Sequence, residues 1–282
     1  MNQVPSVTLN NGVRMPQLGF GVWQIPDDEA AQVVGTALEA GYRSIDTASV
    51  YGNEAGTGKA LADSGLPREE LFVTTKLWNG PSPTWGRDEV LRAFDDSLAK
   101  LGLDHVDLYL IHWPRPMRDD FLTIWKTFEE IAADGRARAV GVSNFRPADL
   151  ERLRAHSALV PAVNQVELHP LFPQRELRAV HAELGIATEA WSPLGQGGEL
   201  LALPAVTAVA DKHGRSAAQV VLRWHVQNGL IAIPKSVTPS RIRENLDVFG
   251  FELDADDLAA LDALGTSAAA RRIGPDPAVF DA

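Results

Sequence analysis

Short apolar runs rich in β-branched residues alternate along the chain with segments whose apolar residues recur every three or four positions. The second pattern, as at Val90, Phe94 and Leu98, is typical of helices that pack one face on a core. Strands that alternate with helices predict parallel pairing through crossover helices. Eight runs predict strands: Leu18–Phe20, Ser44–Asp46, Leu71–Thr75, Val106–Ile111, Ala137–Val142, Ala162–Glu167, Ala187–Ala190 and Leu230–Pro234.

Eight such units are the number that closes a (β/α)8 barrel, and 282 residues suit one barrel domain over residues 1–282. The alternative, a doubly wound open sheet, favours a G-x-G-x-x-G turn after an early strand, and the sequence contains none. The start, Val7–Leu9 and Val13–Met15 around Asn11–Gly12, predicts a hairpin that plugs the bottom of the barrel. The sequence therefore predicts an α/β fold, a TIM barrel with an N-terminal hairpin, and an irregular tail after Gly265 on its surface.

Composition and charge narrow the classes of partner. A net charge of −11 argues against a nucleic-acid surface and predicts that any anion site is a local basic cluster. The absence of cysteine excludes disulfides and thiolate chemistry, and we expect no metal. No signal-peptide pattern and no apolar run of about 20 residues is present, so we expect a soluble, cytoplasmic protein with no membrane partner. No exposed apolar helix stripe is evident, which favours a monomer.

Polar side chains follow three neighbouring strands of the predicted barrel, where such barrels carry their chemistry. Asp46 ends the second strand and leads to Tyr51, while Lys76 and His112 end the third and fourth. A lysine paired with Asp46 would lower the pKa of Tyr51 from about 10 and make it a usable general acid. His112 could donate a hydrogen bond to a carbonyl oxygen. Each residue taken singly also has a structural explanation, but their convergence favours a site.

A basic segment follows the last predicted strand. Lys235 and Ser236 precede a helix that starts at Thr238–Pro239, and Arg241 lies in its first turn. Backbone donors and positive charge at a helix start suit a phosphate, and barrels often bind phosphate near strands seven and eight. A solvated helix face is the simpler explanation for Arg243.

These segments resemble the motifs of the aldo-keto reductases. The resemblance implies reduction of aldehydes and ketones by hydride transfer from NADPH, with Asp46, Tyr51, Lys76 and His112 as the catalytic tetrad and Tyr51 as the proton donor. The subgroup most similar to the chain is that of the bacterial 2,5-diketo-D-gluconate reductases. The segments that carry the resemblance are Gly41–Glu54, Gly141–Phe145, Asn164–Pro170, Ala190–Leu194 and Ile233–Asn245, with Ser192–Gly197 and Arg243–Phe249 marking the subgroup.

The resemblance also implies the cofactor and substrate contacts. Trp191 would stack on the nicotinamide, and Ser143, Asn144 and Gln165 would hold its carboxamide. Contacts to the adenosine 2′-phosphate favour NADPH over NADH. The remaining cofactor-binding residues are Ser192, Leu194, Lys235, Ser236, Val237, Thr238, Arg241, Glu244 and Asn245, and the predicted walls of the substrate pocket are Trp23, Trp78 and Trp113. A keto-sugar acid or a small reactive aldehyde is the expected substrate.

Other functions remain open. A Schiff-base aldolase would use Lys76 as nucleophile, which needs a lowered lysine pKa that a nearby Asp46 opposes. A non-enzymatic NADPH-binding sensor or scaffold would not need an intact tetrad. A zinc hydrolase is disfavoured because the seven histidines show no H-E-x-x-H spacing.

Overall fold

A computed structural model describes residues 4–80 and 85–281. It begins with an antiparallel hairpin whose strands β1 (Ser6–Thr8) and β2 (Arg14–Pro16) pair Val7 with Met15. The strands differ by one residue from those predicted, because Leu9 belongs to the turn, where its N–H donates to the carbonyl of Val13. Leu9 and Met15 pack on residues inside the barrel. The hairpin therefore plugs the end at which the barrel strands begin.

Eight parallel strands follow, and within their sheet the neighbouring strands are consecutive in the chain. Leu18 forms a parallel bridge with Ala232, and the N–H of Gly19 donates to the carbonyl of Ala232 at 2.9 Å. These bonds join the first barrel strand to the last, so the sheet closes and the open-sheet alternative is excluded. The barrel strands are β3 (Phe20–Gly21), β4 (Ser44–Asp46), β5 (Phe72–Leu77), β6 (Val106–Ile111), β7 (Ala137–Ser143), β8 (Val163–Glu167), β9 (Ala187–Trp191) and β10 (Ile231–Ala232).

Helices cover the outside of this barrel. One helix connects each pair of strands from β3 to β9, two helices lie between β9 and β10, and two follow β10. None of the described helices is long and apolar enough to cross a membrane. The helices are α1 (Asp27–Ala40), α2 (Glu54–Asp63), α3 (Arg87–Leu101), α4 (Phe121–Ala133), α5 (Pro147–His156), α6 (Arg175–Leu184), α7 (Pro204–His213), α8 (Ala217–Gln227), α9 (Pro239–Leu246) and α10 (Ala255–Ala263).

The structure has a strand at each of the eight predicted positions, but several of these strands begin or end at other residues than predicted. The last predicted strand, Leu230–Pro234, shortens to the two residues of β10. Lys76, predicted to end its strand, lies inside β5, which continues to Leu77, and pairs with Leu110 of β6. The ladder therefore fixes the backbone of Lys76, whose side chain is fully buried.

Candidate active site

A cavity of about 1030 Å³ occupies the end of the barrel at which the strands finish. All the predicted cofactor and pocket residues line it, as do Asp46, Tyr51 and His112. Lys76 lies behind this surface and is fully buried. A second groove, of about 680 Å³, lies at the opposite end of the barrel and contains none of the predicted site residues.

Three of the four predicted tetrad residues meet at the ammonium group of Lys76. Lys76 Nζ donates to Asp46 Oδ1 at 2.5 Å, to the carbonyl of Thr47 at 2.9 Å and to the hydroxyl of Tyr51 at 3.4 Å. A buried ammonium group has three protons to place, and these three acceptors satisfy them. His112 contacts the group through the Tyr51 ring, with the ring centroids 5.7 Å apart.

The pKa of Lys76 follows from this pairing. Burial acts to lower the pKa of Lys76, but the effects of Asp46, Tyr51 and Glu189 together outweigh it and raise the pKa above its ordinary value. Lys76 is therefore charged at neutral pH. A charged, fully buried amine cannot act as a Schiff-base nucleophile, and this disfavours the aldolase alternative.

The expected lowering of the pKa of Tyr51 is wrong. Burial raises the pKa of Tyr51 above 10, the charge of Lys76 acts to lower it, and Asp46 opposes that effect. The charge of Lys76 acts in the expected direction, but the desolvation of the phenolate is the larger effect. Tyr51 therefore keeps its proton at neutral pH, which is the form a general acid requires.

His112 lies between two aromatic rings on the wall of the cavity. Burial, assisted by the charge of Lys76, places the pKa of His112 well below 6.5, so the imidazole is neutral at neutral pH. Its Nδ1 is buried and has no hydrogen-bond partner among the described residues. A neutral imidazole can donate one hydrogen bond into the cavity without adding a charge beside Lys76.

Polar groups on β7, β8 and β9 form a connected network beside the tetrad. Ser143 Oγ donates to the carbonyl of Gln165 at 2.7 Å, and Trp191 Nε1 donates to Asn144 Oδ1 at 2.9 Å. Asn144 has a φ of +64°, in the left-handed region that asparagine tolerates better than most residues. The network therefore fixes the Trp191 ring at the side of the cavity.

Gln165 joins this network to the tetrad and also binds Glu189, a residue that was not predicted from the sequence. Its Nε2 donates to Asp46 Oδ2 at 2.7 Å and to Glu189 Oε2 at 2.8 Å. Glu189 is fully buried on β9. The signal was present in the sequence, because Glu189 and Trp191 are two residues apart on one strand and therefore face the same side of the sheet.

The part of the cavity that follows β10 carries two exposed cations. Lys235 and Arg241 line it and make no ion pair within 4.0 Å among the described residues. Ser236 Oγ accepts a hydrogen bond from the N–H of Thr238 at 3.1 Å, which orders the turn before α9. Two unpaired cations on one wall, in a chain with a net charge of −11, indicate an anion site.

Aromatic side chains form the remaining wall, and the C-terminal tail contributes one of them. Trp78 lies 5.1 Å from His112 between ring centroids, and Phe280 lies 4.3 Å from Trp113 and 6.3 Å from Trp78. Trp23 also lines the cavity and is 45% exposed. Phe280 was missed, although an aromatic residue in a polar, proline-rich tail was a usable signal.

The tail reaches this position because a buried carboxylate holds it. Glu167 Oε1 accepts from the N–H of Ile273 at 2.6 Å, and Oε2 accepts from the N–H of Gly274 at 2.7 Å. These bonds hold Gly274 so close to the Trp191 ring that a Cβ there would lie 2.3 Å from Cη2. The tail is irregular and largely exposed, as predicted, and in addition forms part of the cavity.

No group of three or more His, Asp or Glu side chains among the described residues is arranged to hold a metal ion. The chemistry available in the cavity is therefore that of a protonated tyrosine, a neutral histidine, a buried ion pair and a pair of cations. This set can polarise a carbonyl oxygen, donate a proton to it and bind an anion nearby.

Comparisons with known proteins point to one protein family. The model of the aldo/keto reductase family matches residues 16–266. An aldo-keto reductase of Mycolicibacterium smegmatis is 54% identical over 277 residues, 98% of each chain, and the morphine 6-dehydrogenase of Pseudomonas putida is 51% identical over 98% of this chain and 96% of its own. A solved structure of a Gox0644 mutant in complex with NADPH superposes with a TM-score of 0.93 at 46% identity over 99% of each chain.

Proposed function

The chain belongs to the aldo/keto reductase family, and from that premise we propose that Tyr51, His112, Lys76 and Asp46 catalyse NADPH-dependent reduction of uncharged aromatic or apolar carbonyl compounds. The family membership carries the reaction class and the cofactor: the protein is an NADP-dependent oxidoreductase that reduces aldehydes and ketones. The roles of the residues and the substrate class are proposals. The observation that carries them is the convergence of the Tyr51 hydroxyl and the His112 ring on one cavity wall, with Lys76 behind them.

The cavity fits NADPH by the chemistry of its donors. Lys235 and Arg241 suit the 2′-phosphate, because both line the cavity and neither is ion-paired among the described residues. The Trp191 ring, which Asn144 and the tail hold in place, suits stacking on the nicotinamide. Both protons of the Gln165 NH₂ group are hydrogen-bonded, whereas Gln165 Oε1 is available to a ligand. The bound cofactor supplies the hydride that adds to the carbonyl carbon.

Each tetrad residue has a separate task in this proposal. His112 orients the carbonyl oxygen with a neutral hydrogen bond. Tyr51 donates its proton to that oxygen as negative charge develops on it, and Lys76 stabilises the phenolate left behind through its 3.4 Å contact. Asp46 keeps Lys76 charged and in place.

The walls around the tetrad favour an uncharged substrate. Trp78, Trp113 and Phe280 give the cavity wall an aromatic surface, and Val50 adds an aliphatic side chain. The only Lys and Arg side chains on the described cavity surface are Lys235 and Arg241, which we assign to the cofactor. A carboxylate on the substrate would therefore be desolvated without a cation to pair with. This argument disfavours the keto-sugar acid among the expected substrates and supports the aldehyde.

The test compares matched substrates. With purified protein and NADPH, we expect kcat/KM for benzaldehyde to exceed that for para-carboxybenzaldehyde by roughly tenfold or more, about the cost of one poorly paired charge. The readout is the loss of the absorbance of reduced nicotinamide. Equal rates for the two aldehydes would contradict the substrate class, whereas no turnover with any carbonyl would contradict the roles of the tetrad.

We further infer that the protein acts as a monomer. The large apolar side chains exposed among the described residues lie in loops, a short 3₁₀ turn and the tail rather than on α1–α10: Trp23, Val50, Met117, Val237, Ile273 and Val279. Stable homodimer interfaces usually need a larger apolar patch on packed elements. Light scattering after gel filtration should give the mass of one chain, and a mass of two chains would contradict the inference.

A further inference from the structure

The carboxyl group of Glu189 lies inside the barrel, where the tetrad does not use it. The neighbouring residue, Thr188, lies on the outer face of β9, where its Oγ1 is hydrogen-bonded to His181 Nδ1 of α6 at 2.8 Å. Side chains alternate along a strand, so Glu189 points to the inner face. There Glu189 Oε2 accepts the hydrogen bond from Gln165 Nε2 at 2.8 Å. Glu189 therefore belongs to the same inner layer as Gln165 and Asp46.

The two carboxyl groups together fix the side-chain amide of Gln165. The NH₂ group has two protons, and one goes to Asp46 while the other goes to Glu189. Rotating the amide by half a turn would bring its oxygen against two carboxyl oxygens, which is unfavourable. Gln165 Oε1 accepts no hydrogen bond from the described residues, and Gln165 lines the cavity. The oxygen is thus the one polar atom of this side chain that remains for a ligand.

We propose that Glu189 is a positioning residue that acts through Gln165: by taking its second amide proton, Glu189 holds Gln165 Oε1 ready to accept from the carboxamide NH₂ of the nicotinamide. The proposal rests on the proposed function, which places the nicotinamide beside Gln165. With Asp46 alone as partner, the amide would keep one unpaired proton and could turn. Glu189 removes that freedom before the cofactor binds, so less ordering remains to be done on binding.

The surroundings of Glu189 determine its protonation. Asp46 on β4, Lys76 on β5 and Tyr51 after β4 are the titratable groups that share the inner space with it. Ile231 of β10, which pairs with Glu189, has no charge, and His181 of α6 lies on the outer face. Burial and the nearby Asp46 raise the pKa of Glu189 to about 8, against the opposing effects of Gln165 and Lys76. A neutral carboxyl still accepts through Oε2.

Three variants separate the acceptor role from a general structural one. Glu189→Gln keeps an acceptor of the same shape and cannot ionise, whereas Glu189→Leu removes the acceptor. Glu54→Gln is the matched control, since Glu54 is also a buried carboxyl with one hydrogen-bond partner, Thr75 Oγ1 at 2.7 Å, while its Oε2 makes no hydrogen bond and lies 3.9 Å from Lys100 Nζ. Glu54 lies on α2 and does not line the cavity.

The first readout is the Kd of NADPH from fluorescence titration, together with the split between KM and kcat. We expect Glu189→Leu to raise the Kd roughly fivefold, the effect of one hydrogen bond, with kcat changed less. Glu189→Gln and Glu54→Gln should bind within about twofold of the parent protein. In a Gln165→Leu background, Glu189→Leu should cause no further loss. Parent-like binding by Glu189→Leu, or equal losses in Glu189→Gln and Glu189→Leu, would overturn the proposal.

The second readout needs no cofactor. A carboxyl whose pKa is raised in the folded protein favours the folded state at low pH, and this contribution is lost as the pH rises through the folded value, about 8. Urea unfolding of the parent protein should therefore become easier, relative to Glu189→Gln, from about pH 5 to about pH 8. If the difference in unfolding free energy between the two proteins did not change with pH, the pKa of Glu189 would not be raised by its surroundings. Failure of the parent protein to bind NADPH would instead contradict the proposed function, and the unfolding data would still stand.

Discussion

The hydroxyl of Tyr51 lies 3.4 Å from the ammonium nitrogen of Lys76, yet the pKa of Tyr51 is raised, because burial of the phenolate outweighs the neighbouring charge. The contact therefore does not ionise Tyr51 in the resting protein. It becomes more favourable when the proton leaves, since a phenolate is attracted to the ammonium group more strongly than a phenol is. An interaction that strengthens along the reaction lowers the barrier rather than tightening substrate binding.

Replacing Tyr51 by Phe should remove this proton donor and leave the cavity otherwise intact. We expect kcat to fall by roughly 10²- to 10⁴-fold, the range for loss of a general acid, with the Kd of NADPH changed less than about twofold. Steady-state kinetics and fluorescence titration measure the two quantities. Tyr42→Phe is the matched control, because the Tyr42 hydroxyl donates to the carbonyl of Ile242 within the core. That variant should cost about 1 kcal/mol of stability without loss of turnover. Parallel losses of turnover and binding in Tyr51→Phe would indicate a structural role.

The pH profile of the reduction should carry no inflection from His112. Its pKa lies well below 6.5, so the imidazole stays neutral between about pH 6 and pH 8 and has no proton to lose there. We expect kcat for His112→Gln to fall while the shape of its profile between those limits stays that of the parent protein. Rates measured in buffers of constant ionic strength test this. An inflection near pH 6.5 that disappears in His112→Gln would show that the histidine titrates in the working range.

The order of elements and the convergence of the proposed tetrad residues at one end of the barrel could be predicted from the sequence, because both depend on patterns of single strands. Tyr51, Lys76 and His112 each follow or lie near the end of an apolar run, and parallel strands bring such ends together. The pKa of Tyr51 could not be predicted from the sequence, because it depends on how completely the packed barrel removes water from the phenolate. The contacts of Glu167 with the tail and of Phe280 with Trp113 were not predicted, since each joins residues more than 100 positions apart and no local pattern records it.

The pairing of Lys76 with Asp46 predicts non-additive effects on stability. Lys76→Met leaves the carboxylate of Asp46 buried without a cation, and we expect a loss of about 3–5 kcal/mol. Adding Asp46→Asn removes the unpaired charge, so the double variant should recover much of the loss although it has two changes. Urea unfolding of the parent protein and the three variants gives the coupling. Simple addition of the two single effects would mean that the pair is not a buried ion pair.

Lys235 should distinguish the two nicotinamide cofactors, which differ by the 2′-phosphate. Lys235→Ala removes an unpaired cation of the cavity wall, and we expect the KM for NADPH to rise roughly tenfold, the lower part of the range for a charged contact because Lys235 is exposed. The KM for NADH should change less than about twofold. Arg243→Ala is the control, since the Arg243 side chain donates to the carbonyl of Pro239 on the exposed face of α9. A similar rise for both cofactors would place Lys235 elsewhere than at the 2′-phosphate.

Gly274 controls how closely the tail approaches Trp191. An alanine there would place its Cβ 2.3 Å from Trp191 Cη2 and 2.9 Å from Glu167 Oε2, so the tail must move away or the ring must turn. Either movement weakens the two N–H bonds to Glu167, and we expect Gly274→Ala to raise the Kd of NADPH and the KM of aromatic aldehydes severalfold while leaving barrel unfolding nearly unchanged. Gly35→Ala is the control: nothing lies within 4 Å of its added Cβ, and alanine in the middle of α1 should stabilise the protein by about 0.5–1 kcal/mol. Titrations with NADPH and urea unfolding of both variants make the comparison. If Gly274→Ala bound NADPH as the parent protein does, the tail would form a wall of the cavity without holding Trp191 in place.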